Sequence, residues 1–382
     1  MKILAVDIGT GTQDILLYDS QLDLENAFKL VVPSPTMIVN RQLKQATRQG
    51  LPIVLTGVTM GGGPSGWAIE DHLKAGYPVF ATAEAARTLN DDLEAVKALG
   101  ICLISDDEAR RMPAKAFHLE LRDFDLGAIQ RSFSEFHISL DNLTCVAVAV
   151  FDHGAAPPEV SDRQFRFDYL DLRIRAENRL SAFAYRSEDI PSIMTRLQAV
   201  AKSAANLTVP LIVMDTAPAA ILGATFDPVV ASRRQVMIAN IGNFHTLAFR
   251  LGTDGIEGVF EHHTGEITFT ILDKLLGLLA DGTLQNRDVF DHHGHGALVY
   301  NTLPMPLIKD GFNVVVTGPR RSILKNSVMN PHFAVPFGDM MMAGCYGLLA
   351  AVADIMPDWR EPIQASLNSR ATPGTAPWDI YE

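Results

Sequence analysis

The sequence predicts an α/β protein in which short strands alternate with amphipathic helices. Apolar runs rich in β-branched residues recur along the chain, and segments of helical periodicity lie between them, which is typical of mixed sheets covered by helices. The chain has 382 residues, of which 47% are hydrophobic, so global disorder is excluded. At about 150 residues per domain, this length predicts two or three domains.

The predicted elements begin at the first residues and alternate along most of the chain. Each predicted strand is a short apolar run, and each predicted helix carries apolar residues at helical spacing. The predicted strands are residues 3–8, 14–18, 52–56, 78–81, 101–104, 144–151, 210–214, 235–241, 246–251 and 313–317. The predicted helices are residues 35–49, 65–74, 82–89, 91–99, 106–112, 190–205, 218–223, 266–280 and 339–353.

Changes in composition predict how the chain is divided. A seam near Ser232 separates an N-terminal domain with insertions, residues 1–231, from a C-terminal domain, residues 232–355, whose last helix is expected to pack back on the first domain. Residues 356–382 form a predicted tail, poorly ordered at 366–376 because that part is rich in Ser, Thr, Pro and Gly. The charged stretch 159–179 is interpreted as an insertion or a loose hairpin.

Charge and cysteine content exclude several classes of protein. The net charge of −12 argues against a general binder of nucleic acid or of anionic membranes, because phosphates repel an acidic surface. Cys102, Cys145 and Cys345 are too far apart for a zinc knuckle, a CxxC pair or an iron–sulfur motif, and such sparse cysteines fit a reducing compartment. The apolar run at 340–353 has 14 residues, too few to cross a bilayer. We therefore expect a cytoplasmic protein; its oligomeric state is left open.

The first glycine-rich turn lies between the first two predicted strands and reads DIGTGTQD from Asp7 to Asp14. It lacks the third glycine and the following helix of a dinucleotide-binding turn, so it is interpreted as a hairpin. Its backbone N–H groups and hydroxyls suit a phosphate, and Asp7 suits a magnesium ion held through water. An ordinary glycine-rich hairpin is the alternative. The predicted phosphate-binding residues here are Gly9, Thr10, Gly11 and Thr12.

Two later turns repeat this chemistry. The segment NIGNFHT, which starts at Asn240, is again a turn between two strands, and it makes Gly242 and Asn243 candidate phosphate-binding residues. Two such hairpins indicate two halves of related construction. Gly318 follows the predicted strand 313–317, and PFGDMMMAG at 336–344 opens the last predicted helix.

These motifs, in this order, resemble the superfamily of sugar kinases, actin and the Hsp70 ATPase domain. The resemblance implies two ribonuclease-H-like domains around a central cleft that binds ATP and magnesium. It also implies that Asp215, in the segment DTAPAAILG, is a general base and that Gly318 lies near the nucleoside. The chain departs from the pattern at Asn240, where several of these ATPases have Asp, and at Pro319, which replaces a second glycine.

Other segments resemble a prokaryotic family described as pyruvate formate-lyase activating enzyme-related. These are TGVTMGGGP, beginning at Thr56, and DHHGHG, beginning at Asp291. The activating enzyme itself needs three clustered cysteines, which this chain lacks, so radical chemistry is not supported. The glycine run has the spacing of a P-loop, but Trp67 stands where that motif needs Lys. Gly62 and Gly63 therefore either shape the substrate side of the cleft or form a structural loop.

Five histidines are crowded into one region and could bind a transition metal. A helix of about 15 residues would be roughly 22 Å long, and the segment after it is long enough to return to its start. Imidazoles gathered there would suit zinc, iron, nickel or manganese. The alternative is a polar loop whose histidines cap helices or bind phosphate. The candidates are His262, His263, His292, His293 and His295.

A separate pair, Asp152 and His153, follows the predicted strand 144–151. The ends of such strands often face a ligand in an α/β fold, and a plain turn is the alternative.

The leading hypothesis is an ATP- and magnesium-dependent phosphotransferase or ATPase, with Asp7 and Asp215 as catalytic residues and an unidentified acceptor. The second is a metal-dependent enzyme that uses the histidines. The third is a non-catalytic nucleotide-binding assembly factor, which Asn240 and Pro319 make tenable.

Overall fold

The computed structural model describes residues 1–305, 314–368 and 378, which contain three β-sheets and their covering helices. The strands are β1 Lys2–Ile8, β2 Thr12–Asp19, β3 Phe28–Pro33, β4 Ile53–Gly57, β5 Val79–Ala81, β6 Cys102–Leu103, β7 Phe117–Leu121, β8 Leu143–Val150, β9 Ala184–Arg186, β10 Leu211–Asp215, β11 Val236–Ile241, β12 His245–Gly252, β13 Gly255–His263, β14 Gly296–Val299, β15 Val315–Thr317 and β16 His332–Phe333. The helices are α1 Pro35–Gln49, α2 Pro64–Lys74, α3 Ala83–Ala86, α4 Leu93–Ala98, α5 Asp106–Arg111, α6 Leu126–Ser134, α7 Asp162–Ala176, α8 Thr195–Ser203, α9 Thr216–Ala224, α10 Pro228–Ala231, α11 Phe269–Ala280, α12 Asn286–Phe290, α13 Ala343–Ile355 and α14 Pro357–Leu367.

The two large sheets share the arrangement of five strands and differ in the sixth, which is β9 beside β10 in the first sheet and β14 beside β13 in the second. The first has the order β3-β2-β1-β8-β10-β9, with β1 to β3 antiparallel and β8 and β10 parallel to β1. The second has the order β14-β13-β12-β11-β15-β16, with β11 to β13 antiparallel and β15 parallel to β11. Each sheet thus opens with an antiparallel meander and adds parallel strands beside its first strand. The expectation of two halves of related construction stays a prediction, with which this strand order agrees.

Helices α9 and α13 pack very closely against each other. A Cβ atom added to Gly223 of α9 would lie 1.7 Å from the Ala343 carbonyl oxygen, and one added to Gly347 of α13 would lie 1.9 Å from that of Ala219. Only glycine permits this approach. The other face of α13 packs on the first sheet, where Leu348 shares a core with Ile3 of β1. The start of α13 is thereby held beside the end of β1, where Gly344 lies against Asp7.

The third sheet is parallel throughout, in the order β6-β5-β4-β7, and lies in the sequence between β3 and β8. It has its own core, in which Leu43 of α1 packs with Ile53 of β4 and Val79 of β5. Alternating strands and helices build such a parallel sheet, because a parallel connection needs a crossover. This unit carries the glycine run at 61–63 to the edge of the large sheets.

Most predicted strands and helices are present, with boundaries that differ by a few residues. The interpretation of residues 159–179 as an insertion or loose hairpin is wrong, because Asp162–Ala176 is helix α7. Its buried face carries Phe167, Leu170 and Ile174, but it also carries Arg166, and that charge obscured the apolar pattern.

The predicted C-terminal tail is also partly helical. Residues Pro357–Leu367 form α14, and its Ile363 and Leu367 belong to the core around α13. Residues 369–376 of the predicted disordered part, and position 313 at the start of the tenth predicted strand, lie outside the described residues. Within the described residues, none of the helices has the length and apolar character needed to cross a membrane.

Candidate functional site

One pocket collects the glycine turns of both large sheets. Asp7, Asn240 and Gly318 all line it, so the prediction that these three approach a common cleft is confirmed. The roles assigned to them stay predictions. Its other lining residues from these turns and from the start of α13 include Gly9, Thr10, Thr12, Gly242, Asn243, Met340, Met341 and Gly344.

The two hairpin turns are closed in the same way. The Gly9 N–H donates to the Thr12 carbonyl oxygen at 2.9 Å, and the Gly242 N–H donates to that of His245 at 2.9 Å. Both glycine N–H groups are therefore used within the turns. The turn tips, Gly11 and Asn243, face each other, since a Cβ on Gly11 would lie 2.2 Å from the Asn243 amide nitrogen. Of the predicted phosphate-binding residues in the two turns, Gly11 alone does not line this pocket.

Asp7, at the end of β1, is held in place from two directions. The Thr216 hydroxyl donates to its Oδ1 at 2.6 Å. On the other side, a Cβ on Gly344 would lie 1.9 Å from its Oδ2, so only glycine fits at that position of α13. Burial raises the pKa of Asp7 to about 6, the Thr216 hydroxyl opposes this, and the Asp215 carboxylate adds to it. The buried carboxyl therefore takes up a proton more readily than an exposed aspartate.

Asp14 of β2 is the partner of Asp7 in the antiparallel register and lines the same pocket. Burial, followed by the charge of Asp7, raises the pKa of Asp14 to about 8. Its Oδ1 is buried and has no hydrogen-bond partner in the described part of the chain. Two facing carboxylates repel each other. A divalent cation would relieve this repulsion, so the donor set fits magnesium held by oxygen ligands.

The raised pKa of Asp14 predicts how stability depends on pH. A carboxyl with a higher pKa in the folded chain than in the unfolded chain favours folding below its unfolded value, and this contribution is lost as the pH rises through the folded value of about 8. Asp14→Asn should therefore flatten the decline in melting temperature between about pH 5 and 8, measured in EDTA, and melt above the wild type at the upper end. An equally steep decline in the variant would contradict this account.

Asp215, the predicted general base, does not line this pocket. It caps α9 by accepting the Ala217 N–H at Oδ1, 2.8 Å away, and its Oδ2 accepts from Arg166 Nη1 at 2.7 Å. Both oxygens are therefore engaged, and the side chain is buried. The role of general base stays a prediction for Asp215, which in this structure caps α9 and pairs with the Arg166 guanidinium.

Arg166 is the centre of a buried network that links the two large sheets. Its Nε donates to Glu261 of β13 at 2.8 Å, and its Nη1 also donates to the Asp152 carbonyl oxygen at 2.9 Å. The guanidinium lies 4.0 Å from the centroid of the Phe151 ring. Opposite charges this close hold the pKa of Glu261 well below its usual range against the effect of burial. Sequence analysis missed both residues.

Three histidines gather beside Glu261: His245 at the start of β12, His263 at the end of β13 and His295 before β14. One ring nitrogen from each lies within 4.8 Å of the others. The ring centroids of His263 and His295 are 4.5 Å apart, which confirms the prediction that the two histidine segments approach each other. Burial lowers the pKa of all three rings, to about 2 for His295, so each is neutral at neutral pH.

The other predicted metal ligands are placed differently. His262 is buried, with Nδ1 3.1 Å from the His263 carbonyl oxygen and Nε2 3.0 Å from that of His292, so both nitrogens have backbone neighbours. His292 and His293 are exposed. The third member of the cluster is His245, which was not predicted as a ligand. The sequence feature that could have indicated it is its position directly after the second glycine turn.

A larger cavity of about 850 Å³ adjoins the glycine-lined pocket. His245, Phe151 and Arg196 line both. Asp152 lines the larger cavity, but its two oxygens accept the N–H groups of Gly154 and Leu197, each at 2.8 Å. The residues around this cavity that sequence analysis singled out are Thr10, Asp152, His153, Gly62, Gly63, His263 and His295.

A family model described as "Putative pyruvate format-lyase activating enzyme (DUF1786)" matches residues 60–323. The chain belongs to this family. The match spans the glycine run, the buried Arg166 and all three clustered histidines. The chain matches no curated protein.

Three solved structures are similar to this chain at low identity. The ethanolamine utilization protein EutJ from Carboxydothermus hydrogenoformans is 10% identical, with a TM-score of 0.31, over 91% of this chain and 89% of that one. A carbohydrate kinase from Novosphingobium aromaticivorans is 12% identical, with a TM-score of 0.23, over 93% and 87%. An exopolyphosphatase-like protein is 11% identical, with a TM-score of 0.20, over 76% and 57%.

Proposed function

We propose that this protein is an ATP- and magnesium-dependent phosphotransferase or ATPase of the sugar kinase, Hsp70 and actin type. The observation that carries the proposal is the single pocket in which Asp7 meets glycine turns from both large sheets. In this proposal residues 1–231 and 232–355 form two ribonuclease-H-like domains around a central cleft. The repeated strand order of the sheets supports such a division.

The phosphates would lie between the two hairpin turns, where the tips at Gly11 and Asn243 approach each other. Asp7 and Asp14 would hold a magnesium ion, through its water shell or directly, and the ion would neutralise phosphate charge. The pocket has a volume of about 110 Å³, whereas ligand pockets usually measure about 300–1,000 Å³. Nucleotide binding would therefore require the two tips to separate, which couples binding to movement of one half relative to the other.

A second candidate is a nucleotide-binding assembly factor without a phosphoryl acceptor. The hydrogen bonds made by the Asp215 carboxylate favour it. Its oxygens are held by Arg166 and the Ala217 N–H, so it is not free to accept a proton from an acceptor hydroxyl. Both candidates require nucleotide in the same pocket. They differ in turnover: transfer or hydrolysis supports the enzyme, and tight ATP binding without either supports the assembly factor.

A charge placed at one turn tip tests the position of the phosphates. Asn243 is exposed and lines the pocket, so Asn243→Asp should leave the fold intact and add a negative charge beside the phosphates. Two like charges about 4 Å apart repel by at least about 1 kcal/mol, so the dissociation constant of Mg·ATP should rise about fivefold or more. Isothermal titration calorimetry at low salt measures this.

Asn142→Asp is the matched control for that experiment. Asn142 is also exposed, lies away from the pocket and would carry the same added charge. It should bind Mg·ATP as the wild type does. Equal binding by the wild type and both variants would place the nucleotide elsewhere, and no binding by the wild type would overturn the proposal itself.

A further inference from the structure

We propose that His245, His263 and His295 form a binding site for one divalent transition-metal ion, with Glu261 as the carboxylate that orients two of the rings. This site is separate from the proposed magnesium site at Asp7, which has only oxygen ligands. The proposal stands on the geometry of the three rings and does not require the nucleotide proposal to be correct.

The three rings offer a ligand set that suits such an ion. One nitrogen from each lies within 4.8 Å of the other two. Zinc–nitrogen bonds of about 2.0–2.1 Å place the nitrogens of a tetrahedral site about 3.4 Å apart. The histidine side chains would therefore have to move by roughly an ångström to bind one ion together. Three imidazoles suit zinc, iron, nickel or cobalt rather than magnesium or calcium. Three protein ligands also leave a coordination position open, as catalytic zinc sites do.

Glu261 supplies the second, independent observation. Its Oε2 is bound to Arg166, but its Oε1 faces Nδ1 of His245 at 3.3 Å and Nδ1 of His295 at 3.4 Å. All three atoms are buried, and none completes a hydrogen bond within the described residues. Metal-binding histidines almost always donate their second ring N–H to a carboxylate or carbonyl. A small rotation that draws the rings onto an ion would complete these bonds.

The buried charge around the cluster also favours a cation. In the described part of the chain, the Arg166 guanidinium contacts two buried carboxylates, those of Asp215 and Glu261. One positive charge therefore faces two negative charges, in surroundings where an uncompensated charge is costly. A divalent ion would supply additional positive charge.

The open position of the ion would face the cavity of about 850 Å³, because all three histidines line it. His245 also lines the glycine-lined pocket. A molecule bound to the ion through an oxygen or nitrogen atom would thus lie next to the proposed phosphate site. The ligand class of the larger cavity is accordingly a small polar molecule able to coordinate a metal.

Metal binding by the full-length chain tests the proposal without nucleotide. Protein treated with EDTA is dialysed against Co²⁺ alone or Zn²⁺ alone, and the visible absorption of Co²⁺ and the bound stoichiometry are measured. We expect one equivalent of metal and the absorption bands of a low-coordinate Co²⁺ site with nitrogen ligands. His263→Ala, which removes the least buried ring, should weaken binding by at least about 10–100-fold.

His153→Ala is the matched control, because His153 lines the same cavity but lies outside the cluster. It should bind Co²⁺ as the wild type does. His295→Ala should lose binding as His263→Ala does, and melting curves show whether each variant folds; should His295→Ala unfold, His263→Ala decides. Absence of stoichiometric uptake by the wild type, or undiminished uptake by folded His263→Ala, overturns the proposal.

Discussion

Asp7→Asn should reduce magnesium-dependent ATP turnover by about 10²–10³, which corresponds to about 3–4 kcal/mol of lost transition-state stabilisation. The amide has nearly the size of the carboxyl, and the Thr216 hydroxyl can still donate to its oxygen, so packing against Gly344 should survive. The variant loses the negative charge that would hold the ion and its water shell. Turnover is measured over a range of magnesium concentrations, with a melting curve for each protein.

Asp19→Asn is the control for that experiment. Asp19 is at the other end of the same hairpin and is 8% exposed, as Asp7 is, but it does not line the pocket. Its substitution should leave turnover unchanged. Equal turnover in all three proteins would remove the role of Asp7, and a collapsed melting curve for Asp7→Asn alone would make Asp7 a structural residue of the turn.

The parts of the fold that depend on local pattern were predictable from the sequence. The apolar runs of β1 and β8 are buried along nearly their whole length, and such runs can be recognised without knowing their neighbours. The glycine turns after Asp7 and Asn240 were predictable for the same reason, because the turn chemistry lies within a few residues. Their meeting in one pocket was expected only from the resemblance to the superfamily of sugar kinases, actin and the Hsp70 ATPase domain.

The parts that depend on distant pairs were not predictable in this way. Arg166 and Glu261 are 95 residues apart in the sequence, and a lone Arg in a charged stretch is typical of an exposed helix face. Because that partner could not be recognised from the sequence, helix α7 was not predicted, and neither was the pairing of Asp215 with Arg166. Two of the three clustered histidines were predicted, because His263 and His295 belong to conspicuous histidine-rich segments. His245 joins them only through the pairing of β12 with β13.

Arg166→Met should destabilise the protein more than the other single changes considered, by about 3–5 kcal/mol. Met fills much of the same space without the charge. The change therefore leaves the buried carboxylates of Asp215 and Glu261 without their shared partner. The loss in the free energy of unfolding should be larger at pH 8 than at pH 5, since protonation of Asp215 and Glu261 at lower pH removes the uncompensated charges. Urea unfolding of the wild type and the variant at both pH values measures it.

Arg175→Met, on the same helix, separates this effect from the general loss of an ion pair. Arg175 pairs with Asp171 at the surface, with 67% of its side chain exposed, and pairs of this kind contribute only about 0.3–0.5 kcal/mol. The triple variant Arg166→Met, Asp215→Asn, Glu261→Gln removes the charges together and should recover part of the stability lost by Arg166→Met, because no unpaired charge stays buried. Equal stabilities of Arg166→Met and Arg175→Met at pH 8 would show that the network does not join the two sheets energetically, whatever its geometry.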